Sequence, residues 1–286
     1  MEPFFGSGAV LFGRPSALGT ETVNDLDGFV ANFWRATQHD PEQTAMWADE
    51  PVNENDLHAK HVWLVAQRAL LARKLEGSPD WFDARIAGYW VWGVSCWIGG
   101  GFCSGEGPWR VNADGHLLKQ PLPHLGNAGQ GVNRQIPHLG SAGRGVKLLA
   151  YFEQLRRRME SVRVASGDWS RVCGPSVTHQ HGMTGVFLDP PYADTAMRSK
   201  DVYRVDSSTV AHDVREWAIL NGENLKMRIA LCGYDGEHEM PSSWECVPWK
   251  AGGGYANQGD GSNQNAAKER IWFSPACLSV ASGYLL

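Results

Sequence analysis

Apolar positions along this chain fall into two spacings that alternate from one segment to the next, the pattern of an α/β protein. Short apolar runs at Glu21–Asp25, Val162–Val164, Val186–Leu188, Met227–Cys232 and Glu269–Phe273 predict strands. Between them the spacing becomes helical. Phe29, Val30, Phe33 and Trp34 share one helical face, as do Leu149, Phe152, Leu155 and Met159 between Val146 and Glu160. Leu57, Leu64, Leu71 and Leu75 form a stripe over Asn53–Leu75, with Asn53 or Asn55 as cap and Gly77 and Ser78-Pro79 as the stop. Trp81 to Cys96 predicts a second, aromatic-rich helix, and Asp206 is placed to cap a helix through Val210, Val214, Trp217 and Leu220.

From Gly99 to Gly145 the periodicity disappears and a loop is expected. Inside it, Pro123–Val132 recurs as Pro137–Val146, offset by 14 residues. Two copies are too few for a solenoid; they read either as twin DNA-contacting turns or as an idle duplication. The uncharged run Ile86–Gly105 contains six glycines, so it fits a buried helix and a glycine-rich loop better than a membrane span. Another glycine-rich loop is expected from Gly252 through Asn265.

Composition then narrows the classes. The chain has 286 residues, 43% hydrophobic and 20% charged, as in soluble globular proteins. Its six cysteines show no Cys-x-x-Cys pair or metal-ligand spacing, and reduced thiols in a cytoplasm are the simplest account. His58/His61 and His179/His181 lack a third ligand in the pattern, so core or solvated histidines are expected and no metal. The net charge of −5 is uneven: Lys119 to Arg163 carries +6, leaving −11 elsewhere. A basic patch on an acidic body suits docking on phosphates with one face, although a solvated helix face explains Arg156–Arg158 equally well.

The densest chemistry lies where Phe187-Leu188 runs into Asp189-Pro190-Pro191-Tyr192. Neither proline can donate to a ladder, so the strand stops and the Pro190 carbonyl is freed beside a carboxylate and an aromatic ring. Open α/β sheets bind ligands at the carboxyl ends of their strands. Two acceptors beside a flat ring match the needs of a nucleobase exocyclic amine; a strand–turn with a buried aromatic is the simpler reading. At the other end, Glu2-Pro3-Phe4-Phe5-Gly6-Ser7-Gly8 forms a small-residue turn, and Asn24-Asp25 closes the next strand. A glycine loop followed by an acid is how a Rossmann-like half holds an adenosine.

Together these segments resemble the Dam-like, phage-type class of S-adenosylmethionine-dependent DNA adenine methyltransferases. Glu2–Val10 looks like the cofactor glycine motif, Asp25 like the ribose acid, Ser166-Gly167-Asp168-Trp169 like the motif receiving the cofactor's adenine amine, and Asp189–Tyr192 like the catalytic motif. The resemblance implies a Rossmann-like methyltransferase sheet formed by residues 1–50 and 160–286. Residues 51–159 would be an inserted, mainly helical and loop-rich target-recognition domain. It implies S-adenosylmethionine as cofactor, bound through Glu2, Pro3, Phe4, Phe5, Gly6, Gly8, Asp25, Asp168, Trp169 and Asp189. Catalysis would fall to Asp189, Pro190, Pro191 and Tyr192, acting on an adenine flipped from duplex DNA in a bacterial or phage-infected cell. Arg134, Arg144 and Lys147, in or beside the duplicated turns, are the expected DNA contacts. The alternatives are methylation of the cytosine exocyclic amine, or a DNA-binding remnant without activity. One departure stands out: Met1 falls where the family's first strand should be ending, so that strand and the preceding clasp are expected to be missing.

Overall fold

The computed structural model describes residues 1–14, 19–97, 102–103, 109–111, 117–119, 146–192, 209–249 and 268–277. They form a mixed α/β protein. Strand β1 (Glu21–Asp25) pairs in parallel with β4 (Val162–Ser166), and β5 (Thr184–Leu188) pairs in parallel with β6 (Met227–Tyr234). On the far side of β6 lies antiparallel β8 (Glu269–Phe273), and β7 (Glu245–Pro248) pairs antiparallel with β8 at the edge. A small antiparallel pair, β2 (Trp109–Val111) with β3 (Leu117–Lys119), stands apart within the stretch expected to be loop.

The two parallel pairs are joined by the first two residues. The Glu2 amide donates to the Thr22 carbonyl at 3.0 Å, and the Asn24 amide donates to Glu2 at 2.9 Å. On the other side the Met1 ammonium donates to the Gly185 carbonyl at 2.8 Å, and the Phe187 amide donates to Met1 at 2.9 Å. Met1-Glu2 thus takes a strand's place between β1 and β5, in parallel register with both. The order across the molecule is β4, β1, Met1-Glu2, β5, β6, β8, β7. Burial holds the Met1 ammonium pKa below its usual value.

Most of the described helices form where the apolar spacing placed them, α1 and α3 being the additions. α1 (Ala9–Gly13) drops Leu11 into the core, and α2 (Gly28–His39) follows β1, capped by Asp27. α3 (Pro41–Ala48) was not foreseen, yet its start is locally encoded: Asp40 accepts from Gln43 N, and Pro41 occupies the first helical turn. α4 (Glu54–Gly77) is capped by Asn53, and α5 (Ala84–Cys96) by Asp83. α6 (Val146–Met159) leads into β4. α7 (Val210–Gly222) begins after Thr209; Asp206, expected as its cap, lies outside the described residues.

One apolar core joins Val23 of β1 and Val162 of β4 to Phe33 and Trp34 of α2, Val91 of α5, and Phe152 and Met159 of α6. This core crosses the boundaries expected at 50/51 and 159/160. A second core packs Val214 and Ala218 of α7 against Val186, Leu188, Ile229 and Leu231. α4 and α5 attach through Phe29, Leu64, Leu71 and Ile86. Among the described residues no helix is long and apolar enough to cross a membrane.

The basic run of α6 is not uniform: Arg157 is exposed, whereas Arg158 serves an internal partner. Arg158 turns inward, and its guanidinium grips both Glu21 oxygens at 2.6 and 2.8 Å and the Leu11 carbonyl at 3.0 Å. Arg14 pairs with the same carboxylate, and Arg156 pairs with Glu153 at 3.0 Å. A carboxylate buried at the start of β1 requires cationic partners, and the end of α6 supplies one. That demand, absent from the local sequence pattern, turns Arg158 into the protein.

Candidate functional site

Three acidic residues stand at the carboxyl ends of three parallel strands: Asp25 ends β1, Asp168 follows β4 by two residues, and Asp189 follows β5 directly. Their neighbourhood is stitched together by Asn24. Its side-chain amide donates to the Pro3 carbonyl at 3.0 Å and to the Gly167 carbonyl at 2.9 Å. Its backbone carbonyl accepts from Phe5 N at 2.9 Å, and Asp25's accepts from Gly167 N at 3.0 Å. The N-terminal turn, the end of β1 and the end of β4 are thereby held as one platform. The Asn24 Oδ1 atom is buried and finds no hydrogen-bond donor among the described residues.

Asp25 receives two backbone amides, Gly6 N on Oδ2 at 2.9 Å and Asp27 N on Oδ1 at 2.8 Å. The turn above it needs its glycines for different reasons. Gly6 has φ of 50°, with open space where a Cβ would stand. Gly8 has φ of 72°, and a Cβ there would lie 2.6 Å from the Phe12 ring and 2.9 Å from that of Phe5. Gly6 therefore leaves room for a ligand, whereas Gly8 permits packing of the turn on α1.

Side chains of the N-terminal motif divide by direction. Phe5 is buried against Trp34, with ring centroids 5.2 Å apart, and Trp34 Nε1 donates to the Gly6 carbonyl at 2.9 Å. Glu2 is buried, with its carboxyl pKa raised by desolvation, near Arg14 and Glu21. Glu2 and Phe5 therefore serve the core, and Pro3 offers its carbonyl to Asn24. Phe4 points elsewhere: it stacks on Trp169 at 6.3 Å, and Trp169 meets Trp217 of α7 edge-on at 6.1 Å. Asp168 is exposed and caps a 3₁₀ turn over Trp169–Val172, its Oδ1 accepting from the Ser170 amide at 2.9 Å and the Ser170 hydroxyl. No hydrogen bond from the described residues reaches its Oδ2.

At the Asp-Pro-Pro-Tyr turn, Tyr192 folds back so that its hydroxyl donates to Asp189 Oδ1 at 3.1 Å. Pro190 is buried, while Asp189 and Tyr192 are partly exposed. Enough protein surrounds the Asp189 carboxyl that desolvation raises its pKa to about 6, and the Tyr192 hydrogen bond opposes that rise. The Tyr192 ring packs over Ala230, Cys232 and Ile271, and its centroid lies 4.6 Å from that of Tyr234 at 72°. Burial drives the Cys232 thiol pKa well above the usual value, with Asp189 and Glu269 adding in the same direction.

The structure thus brings Pro3, Phe4, Gly6, Asp25, Asp168, Trp169, Asp189, Pro190, Pro191 and Tyr192 to one edge of the strands. Arg134 and Arg144 lie outside the described residues, as does the duplicated segment as far as residue 145. Lys147 falls in the first turn of α6. Asn24's role as a hub and Tyr234's contact with Tyr192 were not foreseen, because both depend on strands separated widely in sequence. Among the described residues no three His, Cys, Asp or Glu side chains converge as a metal site. His58 and His61 instead pack against the Trp97 ring, at 6.0 and 5.0 Å.

In comparisons with known proteins, no protein-family pattern matches the chain, and no characterised protein matches it significantly.

Proposed function

We propose that this protein is a DNA methyltransferase that uses S-adenosylmethionine to methylate the exocyclic amine of adenine. The observation that carries the reading is the placement of Asp189-Pro190-Pro191-Tyr192 at the carboxyl end of β5, beside strand-end acids on β1 and β4. The strand order β4, β1, Met1-Glu2, β5, β6, β8, β7 supports a Rossmann-like methyltransferase sheet. In that arrangement the ligand crevice falls where crossovers lead to opposite sides, above Met1-Glu2.

The residues present fit the cofactor. Asp25 ends β1 with its carboxylate held by the Gly6 and Asp27 amides, where a ribose diol would lie, and the open space over Gly6 admits close approach. Asp168 Oδ2 is available to an adenine amine, with the Phe4–Trp169 pair beside it as an apolar wall. When bound, S-adenosylmethionine supplies an electrophilic methyl group on its sulfonium.

The rest is positioning by this chain. Asp189 and the Pro190 carbonyl would accept the two amine hydrogens, directing the nitrogen lone pair toward the methyl group for in-line displacement. The N–CH3 bond forms as the S–CH3 bond breaks, the neutral thioether leaves, and the surplus proton on nitrogen passes by way of Asp189 to solvent. The Asp189 carboxylate balances positive charge developing on that nitrogen, an interaction stronger in the transition state than before it. Tyr192 offers its ring to a base withdrawn from the helix, whose amine is out of reach within the duplex. The DNA substrate rests on the family resemblance and on the basic segment from Lys119 to Arg163. All six cysteines are free thiols, which suits a reducing compartment such as a bacterial cytoplasm.

The test is incubation of the purified chain with S-adenosylmethionine and unmethylated duplex DNA, followed by mass spectrometry of the nucleosides. N6-methyladenine in the wild type and none with Asp189→Ala is the expected result. N4-methylcytosine would transfer the reading to cytosine, and the absence of both products would overturn it.

A further inference from the structure

We propose that Tyr234 is a positioning residue of this site, holding the Tyr192 ring so that its hydroxyl reaches Asp189. The catalytic consequence rests on the methyl-transfer reading; the structural relationship does not. Tyr234 is the last residue of β6, neighbour to the strand carrying Asp189. Side chains alternate across a strand, so Ala230, Cys232 and Tyr234 face the same way. That is the face over which Tyr192 folds.

The two tyrosine rings meet nearly edge to face at 4.6 Å and 72°, a favoured geometry for aromatic pairs. Tyr192 lies beyond the strand on a turn that its prolines exclude from ladder bonding. The contacts that hold its ring include Asp189 at the hydroxyl, the Ala230–Cys232–Ile271 surface beneath, and Tyr234 at the side. Tyr234 is itself fixed from below. Its amide donates to Glu237 Oε2 at 2.7 Å, and its carbonyl accepts from Glu237 N at 3.0 Å across a turn in which Gly236 adopts φ of 79°. The next residue, Asp235, donates its amide to the Lys268 carbonyl at 2.7 Å and pairs with Arg270 at 3.0 Å. These bonds fix the backbone from which the Tyr234 ring projects toward Tyr192.

This arrangement keeps Asp189 satisfied before any substrate arrives. The Tyr192 hydroxyl holds the place of an amine hydrogen at Oδ1, and binding exchanges one donor for another without leaving a desolvated carboxylate unpaired. Among the described residues, the ionisable groups facing that carboxyl are the Tyr192 hydroxyl and the Cys232 thiol, with Glu269 of β8 beyond the thiol.

The experiment follows the Asp189 carboxyl by 13C NMR titration in the free protein, independently of any reaction. Removing the Tyr192 hydroxyl with Tyr192→Phe deletes the bond that opposes the raised pKa, so the midpoint should move up. Tyr234→Leu should move it up as well, Tyr234→Phe should restore the wild-type midpoint, and Tyr192→Phe/Tyr234→Leu should shift no further than Tyr192→Phe alone. A wild-type midpoint in Tyr234→Leu, or equal shifts in Tyr234→Leu and Tyr234→Phe, would overturn the proposal. In the methyl-transfer assay Tyr234→Leu should lower kcat by up to about tenfold with little change in KM, the scale of one aromatic pair. NMR coupling without methyl transfer by the wild type would leave Tyr234's role standing and remove the proposed reaction.

Discussion

Tyr192 and Asp189 are hydrogen-bonded at 3.1 Å, and this bond lies at the carboxyl end of a buried parallel strand. The tyrosine donor favours the ionised acid, while the protein packed around the carboxyl disfavours it. Burial wins, and the Asp189 pKa stands at about 6 rather than its usual 3.8.

That difference has a direct consequence for stability. Because the folded-state pKa is raised, the native state binds the proton more tightly than the unfolded chain, so ionised Asp189 costs stability above pH 6. The cost falls away as the pH drops through 6 toward 4. Asp189→Asn should therefore stabilise the fold at pH 8 by about 1–3 kcal/mol and lose that advantage near pH 4. Urea unfolding of both proteins at the two pH values measures it. A destabilised Asp189→Asn at pH 8 would show that the ionised carboxylate is needed for the fold. The proposed methyl transfer should decline below pH 6, as the acceptor becomes protonated.

Gly6 and Gly8 should separate ligand binding from packing. Gly8→Ala forces a Cβ against two aromatic rings at positive φ, with an expected cost of about 2–4 kcal/mol. Gly6→Ala meets no neighbour and should cost about 1 kcal/mol from its backbone alone. Its larger effect should be on S-adenosylmethionine affinity, because the added methyl enters the space above Asp25. Thermal unfolding and calorimetry with the cofactor read the two quantities. Unchanged affinity in folded Gly6→Ala would remove this turn from the proposed cofactor site.

Arg158 should matter to the fold rather than to DNA. Its bidentate grip on Glu21 is buried on the carboxylate side, and the Arg158 hydrogen bond is the largest cause holding the Glu21 pKa below its usual value. Arg158→Met leaves that carboxylate with Arg14 alone and should cost about 3 kcal/mol at neutral pH. The depressed Glu21 pKa means that the stabilisation is present above the ordinary glutamate range and is lost as the pH falls through the folded-state value. Denaturant titration at pH 7 and pH 3 checks both the size and the sign. The salt dependence of DNA binding should match the wild type; a slope reduced by about 1 would make Arg158 a phosphate contact after all.

The duplicated turns offer the most direct test of the nucleic-acid partner. Deleting residues 133–146 removes Arg134, Arg144 and one full repeat, and should lower duplex affinity with a shallower salt slope. Fluorescence anisotropy with a labelled duplex across a salt series is the measurement. If affinity, salt slope and site preference all survive, the second copy plays no part in DNA binding.

Much of this architecture could be read along the chain because its causes are local. Leu57, Leu64, Leu71 and Leu75 share a helical stripe wherever the helix lies, Asn53 caps it, and two prolines after Asp189 end β5 in any context. The order of the glycine turn, Asp25, Asp168 and Asp189 was equally visible, since each motif is only a few residues long. Tertiary structure alone decided what required partners from distant segments. It set Met1-Glu2 between β1 and β5, turned Arg158 inward to a buried Glu21, made Asn24 the tie between two loops, and brought Tyr234 against Tyr192. The physical reason is that strand pairing and charge burial are satisfied between segments tens to hundreds of residues apart. Local spacing reveals that a strand or an arginine exists, whereas its neighbour follows only from the way the whole chain closes around its core.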